Sequence, residues 1–261
     1  VNWNIITLFP QMVGQALAEG VVGQAFQKGR VRLKTVNPRD FTIDVHHTVD
    51  DRPFGGGDGM VMQQKPLQAA MDSLGEQAGH RVLLSPHGRK WSDSLAREWA
   101  SRGGTVTLVC GRYGGIDQRF INRSIDEEIS IGDFILSGGE FGALVLVDSV
   151  VRLLPQVLGN EESPHEESFA GEGLLEAPLF TRPQSDSVPQ VFLSGDHKKI
   201  REARRVLSLL VTEKKRPDLL QPSHRRELTQ LRSRPLPFTT EELVACGLAA
   251  PVLSNPEGAS S

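Results

Sequence analysis

Val82-Leu83-Leu84-Ser85-Pro86 and Val106-Thr107-Leu108-Val109-Cys110-Gly111, with the amphipathic stretch from Ser92 to Ser101 between them, decide the fold. Each apolar run is a few residues long and ends in turn formers. Such runs read as strands buried on both faces, and the stretch between them suits a crossover helix. Two parallel strands joined by a helix are expected. Toward the N-terminus, Trp3 to Phe9 is apolar and β-rich and stops at Pro10, after which Met12, Val13, Ala16 and Leu17 recur at helical spacing. Toward the C-terminus, Leu144, Val147, Val151 and Leu154 form a stripe along a helix from Glu140 to Leu154. The first 155 or so residues read as α/β with a parallel sheet.

Beyond Leu154 the composition changes. Glu161, Glu162, Glu166, Glu167, Glu172 and Glu176 occur between residues 155 and 178 without one Lys or Arg, among Gly, Ser and Pro. A mobile acidic linker is expected there. His197 to Leu210, Pro222 to Leu231 and Thr239 to Cys246 read as helices, the last capped by Thr239 with Glu242 as reciprocal partner. The organisation expected is an α/β domain over 1–156, a linker over 157–178, a small helical domain over 179–250 and a frayed tail over 251–261.

The 261 residues carry 29 Lys+Arg against 32 Asp+Glu, a formal charge of −3. Residues 196–235 hold twelve of the basic residues and five acids, which makes that segment +7 and leaves −10 for the rest. A basic module on an acidic body is expected to meet an anionic partner through the module. The two cysteines, Cys110 and Cys246, lie far apart without metal-ligand spacing, so a disulfide scaffold and a zinc ribbon are excluded. No apolar run reaches the roughly 18 residues of a membrane span, and no charged leader precedes an apolar core. A cytoplasmic protein without membrane association is expected.

Half of the 26 glycines fall in two regions, at 55, 56, 57 and 59 and between 103 and 142. Three glycine-bearing loops each follow an expected strand: Leu84-Ser85-Pro86-His87-Gly88-Arg89, Cys110-Gly111-Arg112-Tyr113-Gly114-Gly115-Ile116-Asp117 and Ile131-Gly132-Asp133-Phe134-Ile135-Leu136-Ser137-Gly138-Gly139-Glu140. In open α/β sheets ligands bind beyond the carboxyl ends of strands, and bare backbone lets them approach closely. Loops of this kind suit an adenine and a small polar group. Neither G-x-G-x-x-G nor G-x-x-x-x-G-K-[ST] occurs, which disfavours dinucleotide and nucleoside-triphosphate sites.

These loops, together with Ile5-Ile6-Thr7-Leu8-Phe9-Pro10, Asn37-Pro38-Arg39-Asp40-Phe41, the run from Thr48 to Gly57 and Thr181-Arg182-Pro183, resemble the bacterial tRNA (guanine-37-N1)-methyltransferases of the SPOUT class. The match is nearly colinear over roughly residues 3 to 215. The resemblance implies a SPOUT-type parallel sheet with a deep trefoil knot, a small C-terminal helical domain, and a homodimer with sites at the subunit interface. It makes residues 1–156 the cofactor-binding and dimerisation domain and 179–250 the tRNA-binding domain. It implies S-adenosylmethionine held by Leu84, Ser85, Pro86, Gly111, Arg112, Tyr113, Ile131, Gly132, Asp133, Phe134, Ile135, Leu136, Gly138 and Gly139. Mg2+ is compatible with such an enzyme, although the residues carry no signal for it.

The implied reaction removes the proton of guanine N1, 3′ of the anticodon in a tRNA with G36-G37, as that nitrogen attacks a sulfonium methyl. It needs a base, alignment and charge stabilisation. By resemblance Arg152 faces guanine O6, and a glutamate replaces the family's aspartate as base in Glu167-Ser168-Phe169. Glutamate matches aspartate in proton affinity, and its extra methylene moves the carboxylate by about 1.5 Å. Gly114 stands where the family places a glutamate; His87, Phe180 and Asp196 replace a glutamine, a tyrosine and an asparagine. Asp50, Arg52, Gly57, Gly59, Ser163, Lys198, Lys199 and Arg201 are expected to meet RNA, the basic residues through phosphates. His46, His47, Asp50 and Asp51 match neither zinc nor calcium spacing, so no metal site is assigned. Two alternatives remain open: an RNA-binding SPOUT paralogue with weak or no catalysis, and a small-molecule nucleotide enzyme.

Overall fold

The computed structural model describes residues 1–160, 163–182 and 188–248. The expected tail at 251–261, Pro183 and the start of the acidic run at Glu161-Glu162 lie outside them. Two compact units divide the chain, Val1–Glu161 and Glu162–Ser261.

In the first unit the order is β1 (Asn2–Ile6), α1 (Pro10–Ala16), α2 (Gly20–Gln27), β2 (Leu33–Val36), β3 (Asp50–Asp51), β4 (Val61–Met62), α3 (Gln64–Asp72), β5 (His80–Lys90), α4 (Asp93–Arg102), β6 (Thr105–Cys110), α5 (Gln118–Ser124), β7 (Glu127–Ser130) and α6 (Glu140–Val151). Five strands form a sheet in the order β2-β1-β6-β5-β7. Its pairings are all parallel, with Ile5 opposite Thr35 and Leu108, and Val82 opposite Leu108 and Glu127. Alternate strand residues face opposite layers. Trp3, Ile5, Val82, Val106 and Leu108 pack with Val13, Val22, Trp99, Leu146 and Val150 on one side. Ile6, Leu83 and Val109 pack with Leu67, Met71 and Phe120 on the other. Each fully buried aliphatic side chain contributes about 1.5–3 kcal/mol.

Three expectations shift in detail. The α6 stripe is carried by Ala143, Leu146, Val147, Val150 and Val151, whereas Leu144 is half-buried and Leu154 lies beyond the helix end. The stretch from Leu84 to Arg89, expected as a loop after its strand, lies inside β5 as a bulge, with Leu84 and Arg89 both opposite Ile129. Gly88 permits that return to the ladder, since a Cβ there would stand 2.3 Å from the Ile129 nitrogen.

The second unit contains α7 (Ser163–Glu166), α8 (Gln190–Leu193), α9 (His197–Lys215), α10 (Pro222–Arg232) and α11 (Thr240–Ala245). Thr239 and Glu242 make the expected capping box at α11. Leu174 and Ala177 are buried with Leu207, Leu210, Leu228 and Leu243. The third shift is here: the second half of the stretch expected as a linker over 157–178 belongs to the helical core, because its apolar residues complete the α9–α10 packing.

Candidate functional site

A cavity of ≈ 210 Å³ lies at the bulge within β5 and beyond the carboxyl ends of β6 and β7. Leu84, Ser85 and Pro86 of the β5 bulge line it, as do Gly111, Arg112 and Tyr113 after β6 and Ile131, Gly132, Phe134, Ile135, Leu136, Gly138 and Gly139 after β7. Asp133 is the expected residue that does not line it; its carboxylate is exposed and pairs with Lys90 at 3.6 Å. Gly114, Gly115 and Ser137, members of the expected loops though not singled out as contacts, also line the cavity, and so do Ile129, Ser130 and Gly142, which lie outside those loops. They contribute mainly by position and backbone, so residue type gave little signal beyond the glycine clustering.

The second and third loops are stitched together. Gly139 N–H donates to the Gly111 carbonyl at 3.0 Å, and Gly138 pairs with Arg112 in an antiparallel bridge. The Arg112 guanidinium donates to the Ser137 carbonyl, stacks 4.4 Å from the Phe9 ring centroid and reaches Glu140 at 2.9 Å. Glu140 is wholly buried and also accepts from the Thr7 hydroxyl at 2.8 Å. Neither glycine has room for a side chain: a Cβ at Gly138 would stand 2.1 Å from Arg112 Nε, and one at Gly139 2.8 Å from Cys110 Cα. Burial, with Glu140 nearby, holds the Cys110 thiol well above its ordinary pKa. Tyr113 adopts a left-handed conformation (φ 60°), and its hydroxyl accepts from Arg39.

The β3–β4 hairpin is anchored to the second loop. Met62 N–H donates to Gly115 O, Gly114 N–H to Met60 O and Asp117 N–H to Met62 O. Half-buried Asp50 is opposite Met62, and exposed Arg52, Gly57 and Gly59 lie toward the hairpin tip. Positive φ at Gly55, Gly56, Gly57 and Gly59 makes the tip, a conformation open to glycine at little cost. His47 Nδ1 lies 3.1 Å from both Thr42 Oγ1 and Arg39 O. Among the described residues no three His, Cys, Asp or Glu side chains are grouped to hold a metal ion. Among them also, no helix is long and apolar enough to cross a membrane.

Arg152 is the C-cap residue of α6, half-buried. Glu167, also half-buried, begins a tight turn in the second unit, where Ala170 N–H donates to the Glu167 carbonyl. Ser163 opens α7. Lys198, Lys199 and Arg201 are exposed on the first turns of α9, where Asp196 accepts from the Lys198 and Lys199 amides. The Lys199 backbone contact, with the ion pair to its ammonium, lowers the Asp196 pKa.

The chain matches the profile of the family described as tRNA (guanine-1)-methyltransferase TrmD over residues 1–222. A tRNA (guanine-N(1)-)-methyltransferase of Ralstonia nicotianae is 46% identical over 235 residues, spanning 87% of this chain and 89% of the relative. One of Hahella chejuensis is 48% identical over 236 residues, 88% and 90% of the two chains. One of Pseudomonas savastanoi pv. phaseolicola is 48% identical over 224 residues, 84% and 89% of the two. Likeness across this length covers the sheet, the three pocket segments and the start of the helical unit, and the chain belongs to the tRNA (guanine-1)-methyltransferase family.

Proposed function

We propose that the protein transfers a methyl group from S-adenosylmethionine to N1 of guanine 37 in a tRNA carrying G36-G37. Family membership carries the reaction class, and the glycine-lined cavity supports the cofactor. Its walls fit such a group: apolar Leu84, Ile131 and Leu136 suit an adenine face, while Gly132, with φ 151°, leaves backbone bare where a Cβ would meet the Phe134 ring at 2.5 Å. When bound, S-adenosylmethionine supplies the methyl and departs as a neutral thioether.

The remaining tasks fall to the chain. Glu167 takes the N1 proton, and the Arg152 guanidinium hydrogen-bonds O6, where negative charge develops as that proton leaves. The hairpin bearing Asp50, Arg52, Gly57 and Gly59 meets the anticodon stem-loop next to the pocket, with Ser163 contributing from α7. Lys198, Lys199 and Arg201 hold phosphates. By the same family likeness the first unit forms a deep trefoil knot, in which the second and third loops, fastened to each other by hydrogen bonds, help hold the cofactor. A homodimer with sites at the subunit interface is supported by exposed Phe134 and Ile135 in the pocket wall and exposed Phe141 and Val145 on α6. Such a protein works in the cytoplasm, on the tRNA pool.

Incubation with S-adenosylmethionine and a G36-G37 transcript, followed by mass mapping of the product, tests this reading. Methyl at N1 of guanine 37 is expected, with loss in Glu167→Gln under single-turnover conditions. RNA binding without product, or a methyl elsewhere, would refute it.

A further inference from the structure

Glu167 sits on a short segment whose backbone is closed on itself and then fastened to the helices that carry the basic face. Phe169, Gly171 and Gly173 have positive φ, and Phe169 N–H donates to the Leu174 carbonyl at 2.8 Å. Glu176 N–H donates to Ser168 Oγ at 2.9 Å, so the residue after Glu167 is tied to the far end of the turn. That far end is held by α9: Leu175 N–H donates to Thr212 Oγ1, and the Ser208 hydroxyl donates to the Leu175 carbonyl.

The middle of the turn has a separate anchor. Glu172 Oε2 lies 2.6 Å from Arg205 of α9 and 2.9 Å from Nε2 of His224 on α10. His224 is almost wholly buried, and its Nδ1 accepts from the Gln221 amide, so Nε2 bears the proton donated to Glu172. Arg205 also holds Glu227 of α10 at 2.8 Å. A buried imidazole with both nitrogens committed and a guanidinium shared by two carboxylates form a more ordered anchor than a solvated loop requires.

We infer that Glu172, Arg205 and His224 are a positioning clamp that holds Glu167 at a set place relative to the tRNA-binding face of α9; this rests on the reading of Glu167 as the base. The base thus belongs to the same unit as Lys198, Lys199 and Arg201. Seating phosphates on α9 then delivers the carboxylate together with the RNA. None of the three clamp residues touches the guanine; they act through Glu167.

Glu172 has a largely exposed side chain, so Glu172→Ala is expected to fold. Single-turnover rate at saturating tRNA and S-adenosylmethionine, tRNA affinity, and hydrogen exchange over residues 167–176 are measured for the whole protein. Glu172→Ala is expected to speed exchange in that segment and to lower the rate by about tenfold. Its tRNA Kd is expected to stay within about twofold, since no phosphate contact is removed. Glu172→Gln, which keeps an acceptor for His224, is expected to recover most of the rate. Adding Glu172→Ala to Glu167→Gln is expected to cost nothing further. Unchanged exchange in Glu172→Ala, a fall in tRNA affinity as large as the fall in rate, or a full loss persisting in the Glu167→Gln background would each overturn the clamp. Glu167→Gln alone, measured alongside, separates the two readings: a parental rate there removes the base assignment and the clamp's catalytic role with it.

Discussion

The Arg112 guanidinium stands 2.9 Å from a Glu140 carboxylate that has no solvent exposure, so one ion pair joins the segment after β6 to the start of α6. Thr7 supplies a hydrogen bond to the other oxygen, Oε1, at 2.8 Å. Removing one partner strands a buried charge, which costs more than the pair itself contributes. Arg112→Ala is expected to destabilise the first unit by about 3 kcal/mol, lowering Tm by roughly 6–12 °C. Arg112→Met combined with Glu140→Leu, which removes both charges, is expected to recover much of that loss. Calorimetry checks this, and a parental Tm in Arg112→Ala would show that Arg112 does not compensate Glu140.

Gly114 stands where the family resemblance places a glutamate, and the local backbone permits a side chain. Its φ is not in the left-handed region, and an added Cβ lies 3.0 Å from the Met60 carbonyl oxygen, so Met60 must give by a few tenths of an ångström. Gly114→Glu is expected to fold and to lower the apparent KM for S-adenosylmethionine several-fold by restoring a carboxylate beside the pocket. A KM at or above the parental value, from initial rates at saturating tRNA, would show that the glycine is no deficit.

Gly139 is the opposite case. A Cβ there meets backbone, 2.8 Å from Cys110 Cα and 3.2 Å from the Gly111 nitrogen, and neither can move without disturbing the Gly139–Gly111 hydrogen bond. Gly139→Ala is expected to weaken S-adenosylmethionine binding by more than about tenfold. Gly14→Ala, within α1 and with nothing within 4 Å of its Cβ, is expected to leave binding unchanged and to raise stability by about 0.5–1 kcal/mol. Titration calorimetry on both separates a pocket effect from a general one; equal affinities would contradict it.

Asp126 joins β5 to the start of β7 by accepting from the Arg81 amide and guanidinium. The Arg81 hydrogen bond holds its carboxyl below the ordinary value of 3.8. A depressed carboxylate pKa adds stability that is present above the unfolded value and is lost as pH falls through the folded one. The parent is therefore expected to exceed Asp126→Asn above about pH 4 and to converge with it at lower pH. Both side chains are about one-third exposed, so the gap is expected to be no more than about 1 kcal/mol. Thermal melts between pH 2 and 7 follow it, and a gap that widens on acidification would reverse the sign of the argument.

Burial on both faces explains which strands were legible beforehand. β1, β5 and β6 are central, and their apolar runs, interrupted by Asn4 in β1 and Thr107 in β6, carry the pattern; β7 begins with Glu127-Glu128, of which Glu127 meets His80 at 3.0 Å and Arg89 at 3.8 Å. β2 is the other edge and mixes Leu33 with Lys34, while the β3–β4 ladder is two residues long. Glycine clustering exposed the pocket, because bare backbone is visible as residue type. Glu140 reads in the sequence as the end of the third loop and the start of a helix, and nothing there marks it as buried, since its partner Arg112 lies across the loops. Leu174 and Ala177 were hidden by the acids around them, for composition averages over a segment in which two apolar residues decide the packing.

Charge separation between the two halves of the sequence makes a last expectation concrete. Lys198, Lys199 and Arg201 are exposed at the start of α9, and Asp196 holds the helix end by accepting two of its amides. The Lys199 ammonium is 3.4 Å from Asp196, an exposed pair worth little, so phosphate can displace it. Lys198→Ala with Arg201→Ala is expected to weaken tRNA binding by about tenfold near physiological salt. The slope of log K against log salt should fall by roughly 0.7–0.9 for each phosphate contact removed. Because phosphate contacts position RNA without reading bases, the loss should be equal for transcripts with G36-G37 and with A36-G37. A loss confined to one transcript would mean that the start of α9 reads sequence, and an unchanged slope would mean that the phosphates sit elsewhere.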